Sequence, residues 1–316
     1  MSEARRSFEC FGGWAEVRIA GVPSQEPERA AAAAEAQLLD AHSRLSRFLP
    51  ESELSRLNRD HRATVPASPL LLDLAVAARE AGRLSGGIVD ATMLRAIEAV
   101  GYRDSLAERM VGKHRAAEPE PRRTRSGRHP AAPNPDRAWS EISVDRATGS
   151  ITRPPGVEID SGGIAKGLLA DLVAAQLGRF TAFAIDCGGD VRIGGSGRRP
   201  RPVLVDDPGG GAPIHSIAIV AGGVATSGIT RRRWSHEGKA AHHLLDPATG
   251  RPAFTGVVQA TALAPTALLA EVHSKWALLS GPEAAPSRMP YGGVLVLDDG
   301  RVEHVAGRRP DTAVAA

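Results

Sequence analysis

Three short stretches of this sequence combine residue types that can act on a phosphate or a hydroxyl. The first is Asp160-Ser-Gly-Gly-Ile-Ala-Lys166-Gly, in which an acid and a lysine flank small residues between a strand-like run and a helix-like run. Amides exposed at a helix start, glycine backbone that permits close approach, and a lysine together make a cradle for an anion. The spacing matches neither the Walker phosphate loop nor the paired-glycine dinucleotide fingerprint. Taken alone, the turn serves equally well as a tight packing connection. The second stretch, Ala225-Thr226-Ser227-Gly228, follows a strand-like run and offers hydroxyls and amides to a phosphate. The third is His242-His243-Leu-Leu-Asp246-Pro-Ala-Thr-Gly250. A histidine and an aspartate three apart can be a general base with its orienting partner, or metal ligands. Asp-Pro and Thr-Gly are also ordinary turn formers.

The elements that must hold these stretches can be read from periodicity. Residues 14–20 alternate as a first strand, and the alanine-rich run from Glu28 to Leu49 has helical spacing through Leu38, Leu39, Leu45 and Phe48. A short helical turn ending near Asn58 follows Pro50. A second long helix is expected over 68–84, with Ser68 as cap and Pro69 in the first turn. GGIVDATM reads as a loop, and Leu94 to Val100 as a short helix. Beyond residue 140 the texture is strand and turn, with helices after Lys166 and over 266–280. This pattern predicts an α+β fold, mixed or antiparallel sheets with flanking helices, rather than a regular βαβ winding. One domain over 1–316 with two intimate lobes is expected, and no internal repeat is visible.

Composition narrows the function classes. Hydrophobic residues at 42% and charged residues at 24% are ordinary globular values. No apolar run approaches the ~18 residues of a membrane span, and the arginines near the start precede no apolar signal stretch. Two cysteines, Cys10 and Cys187, make no disulfide framework, so a cytoplasmic protein is expected. Residues 113–137 hold seven Lys/Arg against three acids, while the whole chain carries only +3. The basicity is therefore a local Pro/Arg-rich insertion, expected to be flexible, which argues against a nucleic-acid partner.

Ordered blocks carry far more information than any one stretch. SRFLPESELSRLN (46–58), GGIVDATM (86–93), EIDSGGIAKGLLAD (158–171), DCGGDVRIGG (186–195), GGVATSG (222–228), HHLLDPATGRPA (242–253) and ATALAPTALLAE (260–271) follow one another along the chain. In types and order they resemble the ApbE family of FAD:protein FMN transferases. The resemblance implies the flavin transferase fold, with FAD as substrate and an acceptor protein whose Thr or Ser receives FMN as a phosphoester, releasing AMP. By position it implies FAD contacts at Phe11, Phe48, Val89, Asp90, Ala91, Asp160, Lys166 and Leu245. It gives His243 the role of activating the acceptor hydroxyl. It also implies magnesium, held by the Gly163 carbonyl and by an Asp-x-x-x-Thr pair on the late helix. Here the matching positions are Glu271, Ser274 and Lys275. A charged lysine has donors and no lone pair to give a metal. Three expectations follow from that departure: an intrahelical Glu–Lys ion pair, an ammonium standing in for the cation, or a pocket that only binds FAD. Hydrolysis of FAD to FMN and AMP without an acceptor is a further alternative.

The two phosphate-cradling turns with Phe11 and Phe48 suit a dinucleotide better than its half. FAD is expected to bind more tightly than FMN; equal or stronger FMN affinity in a fluorescence titration would contradict this reading.

Overall fold

The inward-facing residues of the first nine-residue strand are Ala4, Arg6, Phe8 and Cys10, a period-two pattern interrupted by one arginine. That arginine is satisfied locally: Arg6 donates to Glu28 and Glu35 on the following helix, each at 2.9 Å. The computed structural model describes residues 2–21, 25–104 and 128–308. Eight strands form one antiparallel sheet whose spatial order is also the chain order. Numbered along this sheet, they are β1 (Ser2–Cys10), β2 (Gly13–Gly21), β3 (Ala182–Cys187), β4 (Asp190–Gly194), β5 (Gly222–Gly228), β6 (Val257–Ala264), β7 (Gly293–Leu297) and β8 (Val302–Val305). Two- and three-stranded ladders fill the connections, among them one joining Thr64–Pro66, Ser143–Asp145 and Ser150–Thr152. This is the α+β arrangement expected. β1 lies outside the elements expected from periodicity.

Six α-helices flank the sheet among the described residues: α1 (Gln25–Leu45), α2 (Glu53–Arg59), α3 (Pro69–Ser85), α4 (Leu94–Ala99), α5 (Ala165–Ala174) and α6 (Ala267–Ser280). α1 ends at Leu45 rather than Leu49 because Ser161 donates to the Leu45 carbonyl at 2.8 Å and the chain then turns Arg47 inward. α3 matches expectation, with Ser68 accepting from the Leu71 amide and Gly86 closing the helix at φ 65°. None of these helices is long and apolar enough to cross a membrane.

The largest core packs α1, α3, α5 and one face of α6 against β1, β2 and β3. α6 is buried on most of its surface, including Glu271, Ser274 and Lys275. Its free N-terminal amides are met from two directions. Thr266 accepts from Leu269, and Asp171 at the end of α5 accepts from Ala267 and Leu268, each at 2.9 Å. Residues 113–127 of the insertion lie outside the described residues. Residues 128–137 are docked: His129 donates to the Phe254 carbonyl, Ala131 to Leu279, and Arg128 pairs with Asp298 at 2.8 Å. Pro-rich chain with free backbone donors can be ordered by edges that need partners, which composition does not reveal.

α5 and α6 cross at Gly167, where an added Cβ would lie 2.7 Å from the Ala267 carbonyl oxygen and from the Leu268 backbone. Gly167→Ala is expected to destabilise the protein by about 1–3 kcal/mol in chemical denaturation, the usual cost of overpacking. Gly178→Ala, with nothing within 4 Å of its added Cβ, serves as the near-neutral control. Equal stability of the two variants would refute the tight crossing.

Candidate functional site

A cavity of about 700 Å³ opens where the β1–β2 turn, the α1–α2 connection, the loop after α3, the turn before α5 and the His243 segment converge. That size lies within the ~300–1,000 Å³ typical of cofactor and small-molecule sites. Each contributing backbone is held by a specific bond. Asn58 clamps Ile159 through both its side-chain oxygen and nitrogen, each at 2.9 Å, and the Asp160 amide donates to the Ala91 carbonyl at 2.7 Å. Ser85 accepts from the Val89 amide at 2.8 Å, and Asp90 accepts from both the amide and the hydroxyl of Thr92. The β1–β2 turn is a two-residue loop, Phe11–Gly12, between the paired Cys10 and Gly13, with φ of 55° and 69°. Such a turn favours Asn or Gly at its first position. Phe11 occupies it at a steric cost, with its ring on the cavity wall and edge-on to His42 at 5.1 Å.

Part of the wall is apolar and aromatic. Phe48 meets Tyr102 edge-on at 5.8 Å, Tyr102 stacks on Trp234, and Leu245 packs in the same cluster. The Arg47 guanidinium lies 4.2 Å from the Phe48 ring centroid and 4.8 Å from that of Tyr102, and pairs with Asp160 at 3.2 Å. Another part is ionic. Lys166, Arg232, His243 and Lys275 all reach the cavity. Lys166 is paired with Asp190 and Lys275 with Glu271, the latter at 2.9 Å. Burial and the nearby Glu271 carboxylate push Asp190 up to about 6. Burial opposes charge on Glu271 too, but Lys275 and Lys166 outweigh it and hold that carboxyl below its ordinary value. Burial pushes the His243 imidazole well down, helped by the nearby positive charges of Arg232, Lys275 and Lys166. His243 Nδ1 is buried without a hydrogen-bond partner, as is Asp90 Oδ2 on the same cavity. Burial also raises the Asp90 carboxyl.

Of the residues singled out from sequence, Phe11, Phe48, Val89, Asp90, Ala91, Asp160, Gly163, Lys166, His243, Leu245 and Lys275 line this one cavity. Thr226 and Ser227 do not line it. Thr226 shares a hydrogen bond with Thr261 across β5 and β6, and Ser227 shares one with Ser274, both at 2.8 Å. Their hydroxyls bind the sheet to itself and to α6. Glu271 and Ser274 are fully buried outside the lining. Asp246 orients its own turn, accepting from Thr249 and from the Ala132 amide, not the histidine. Residues that sequence reasoning passed over are Arg47, Asp190, Tyr102 and Arg232. Arg47 and Asp190 sit inside two of the ordered blocks, a signal that was available. Arg232 lies in a run of three arginines that reads as solvated charge.

The donor set does not suit magnesium. Glu271 Oε1 accepts from Lys275 and Oε2 from the Gly167 amide at 2.9 Å, so both oxygens are engaged. Ser274 bonds to Ser227 and to the Glu271 carbonyl. Magnesium needs oxygen ligands around it, and an ammonium occupies the remaining place. Among the described residues no three His, Cys, Asp or Glu side chains converge on a common point.

The ApbE family matches residues 11–291. The FAD:protein FMN transferase of Haemophilus influenzae is 28% identical over 261 residues, covering 79% of this chain and 72% of that protein. The Rhodobacter capsulatus protein of the same name is 26% identical over 318 residues, covering 95% of this chain and 56% of its relative. Among solved structures, the ApbE protein from Thermotoga maritima matches with a TM-score of 0.77 at 24% identity, covering 96% of this chain and 97% of that one. The flavin transferase ApbE from Vibrio cholerae matches at 0.70 and 19%, over 98% and 99%. At these identities the structural likeness is one of fold. The matched residues run from the aromatic turn at Phe11 past the ion pair on α6, so every cavity-lining side chain named above lies within them, and the chain belongs to the ApbE family.

Proposed function

We propose that this chain is an FAD:protein FMN transferase, with FAD as substrate and a protein Thr or Ser as acceptor. The observation that carries the reading is His243: an imidazole kept neutral, its Nδ1 unpartnered, on a cavity wall shared with three cationic side chains. A neutral imidazole can take a proton, and fixed cations can stabilise the charge of a diphosphate under attack. In the reaction the acceptor hydroxyl oxygen forms a bond to the phosphorus of the FMN half. The bond from that phosphorus to the AMP phosphate oxygen breaks, AMP leaves with the electron pair, and His243 takes the hydroxyl proton. Lys166, Arg232 and Lys275 face the diphosphate in this reading, while Phe11, Phe48 and Tyr102 offer aromatic surface to the ring systems. Asp90 Oδ2 is available to a ligand donor. The two cysteines are buried free thiols, which suits a reducing compartment such as the cytoplasm.

Incubation with FAD, with and without a candidate acceptor protein, tests the assignment. AMP release together with flavin fluorescence on the denatured acceptor supports it. AMP without labelled acceptor indicates a hydrolase, and FAD binding with neither product indicates a binding protein.

His243→Ala is expected to lower transfer by about 100-fold or more while leaving FAD affinity within about threefold, because a base acts in the transition state. Collapse of FAD binding in this variant would make the histidine structural. The pH profile gives an independent check. His243 is held well below its usual 6.5, so it stays deprotonated where an ordinary imidazole charges. Asp190, at about 6, takes up a proton as the pH falls through that value and weakens its hold on Lys166. kcat/KM for FAD is therefore expected to stay level through neutral pH and to fall on the acid side as Asp190 takes up a proton. An acid limb centred above about pH 7 would contradict the assignment.

A further inference from the structure

Lys275 projects from α6 onto the cavity wall opposite the glycine turn, where an added Cβ on Gly163 would lie 3.6 Å from its Cε. One of its three N–H donors is used on Glu271 at 2.9 Å, which leaves two for the cavity. The carboxylate behind it is fully engaged, by Lys275 on one oxygen and by the Gly167 amide on the other. Lys166 repeats the arrangement from α5, with Asp190 behind it. Arg232 approaches from the other side, donating to the Phe11 carbonyl at 3.4 Å. The two carboxylates are buried away from the cavity, and the three cations line it.

Resting on the reading of the cavity as an FAD diphosphate site, we propose that Lys275, supported by Lys166 and Arg232, supplies the positive charge for the diphosphate as a built-in cation, so that this chain binds and uses FAD without a divalent metal. A clamp of lysine and arginine side chains neutralises phosphoryl oxygens as a metal does, and it needs no oxygen ligands from the protein. Glu271 then acts as a positioning residue. It fixes the ammonium on the wall and balances part of its charge, where otherwise it would be a metal ligand.

The test measures FAD affinity by flavin fluorescence in EDTA and in magnesium chloride, for wild type, Lys275→Thr and Lys275→Arg. Calorimetric titration of magnesium chloride into each free protein and an AMP-release assay accompany it. Wild type is expected to bind FAD equally with and without magnesium and to give no saturable magnesium heat. Lys275→Thr should bind FAD about 10- to 100-fold more weakly in EDTA, the scale of a lost charged hydrogen bond. It should recover affinity when magnesium is added, because Glu271 is released to act as a ligand. Lys275→Arg keeps the charge and should remain indifferent to magnesium. Saturable magnesium binding by wild type, or FAD binding by wild type that EDTA abolishes, overturns the proposal even if Lys275→Thr fails to fold. Absence of AMP under every condition, with the binding pattern intact, would remove the transferase reading and leave the built-in cation supported.

Discussion

Two carboxylates with almost no contact with water, Asp190 and Glu271, dictate much of this architecture. An ionised carboxylate in such a place is tolerable only when paired and hydrogen-bonded. Each therefore fixes a lysine: Lys166 on α5 pairs with Asp190 on β4, while Lys275 pairs with Glu271 within α6, and Glu271 itself ties α6 to α5 by accepting from the Gly167 amide. Removing one partner of such a pair typically costs about 3–5 kcal/mol, because the other charge is stranded. The helices can come close enough only because residue 167 has no side chain. The same contacts that make the core consistent also set the charges of the cavity wall, so stability and site chemistry cannot be adjusted separately here.

The neutral side of the cavity depends on different physics. Backbone segments with no regular partner are pinned by single polar side chains: Asn58 on Ile159, Ser161 on Leu45, Ser85 on Val89. Arg153, almost wholly buried, donates to the Leu57 and Asp60 carbonyls and closes the end of α2. These bonds leave the loops short of freedom before any ligand arrives, so less ordering entropy is lost on binding.

Much of this was legible in the sequence, for reasons that differ by element. α3 and α6 were readable because caps, period and length agree: Ser68 and Thr266 start them, and glycines follow them. β1 was not, because Arg6 sits on its inward face and breaks the alternation; its partners, Glu28 and Glu35, are legible only once α1 is folded over it. Phe48, Val89, Asp90, Asp160, Lys166 and His243, all within ordered blocks, line one cavity. A hydroxyl pattern does not say which face of a strand it occupies, and here register turns Thr226 and Ser227 toward Thr261 and Ser274. Arg232 was passed over because charge runs carry no direction, whereas its two neighbours, Arg231 and Arg233, do not line the cavity. Of the three expectations for Glu271 and Lys275, the ion pair is present, and it is buried rather than a surface decoration.

The sheet that grows strictly in chain order also imposes a timetable on synthesis. Each strand pairs with the one before it in the sheet, although β2 has to wait for β3 across residues 22–181. The cavity has to wait longer: its wall is built from Phe11 at one extreme and Lys275 at the other. At about 5–20 residues per second, roughly 13 to 50 s separate the two. During that interval Glu271 and Lys275 do not exist, and the Gly167 face of α5 that α6 will cover stands open to water. A nascent or truncated chain ending before α6 thus presents a large apolar surface beside a lysine–aspartate pair. Exposed apolar surface of this kind is what makes incomplete chains prone to aggregate, and α6 is the helix that covers it here.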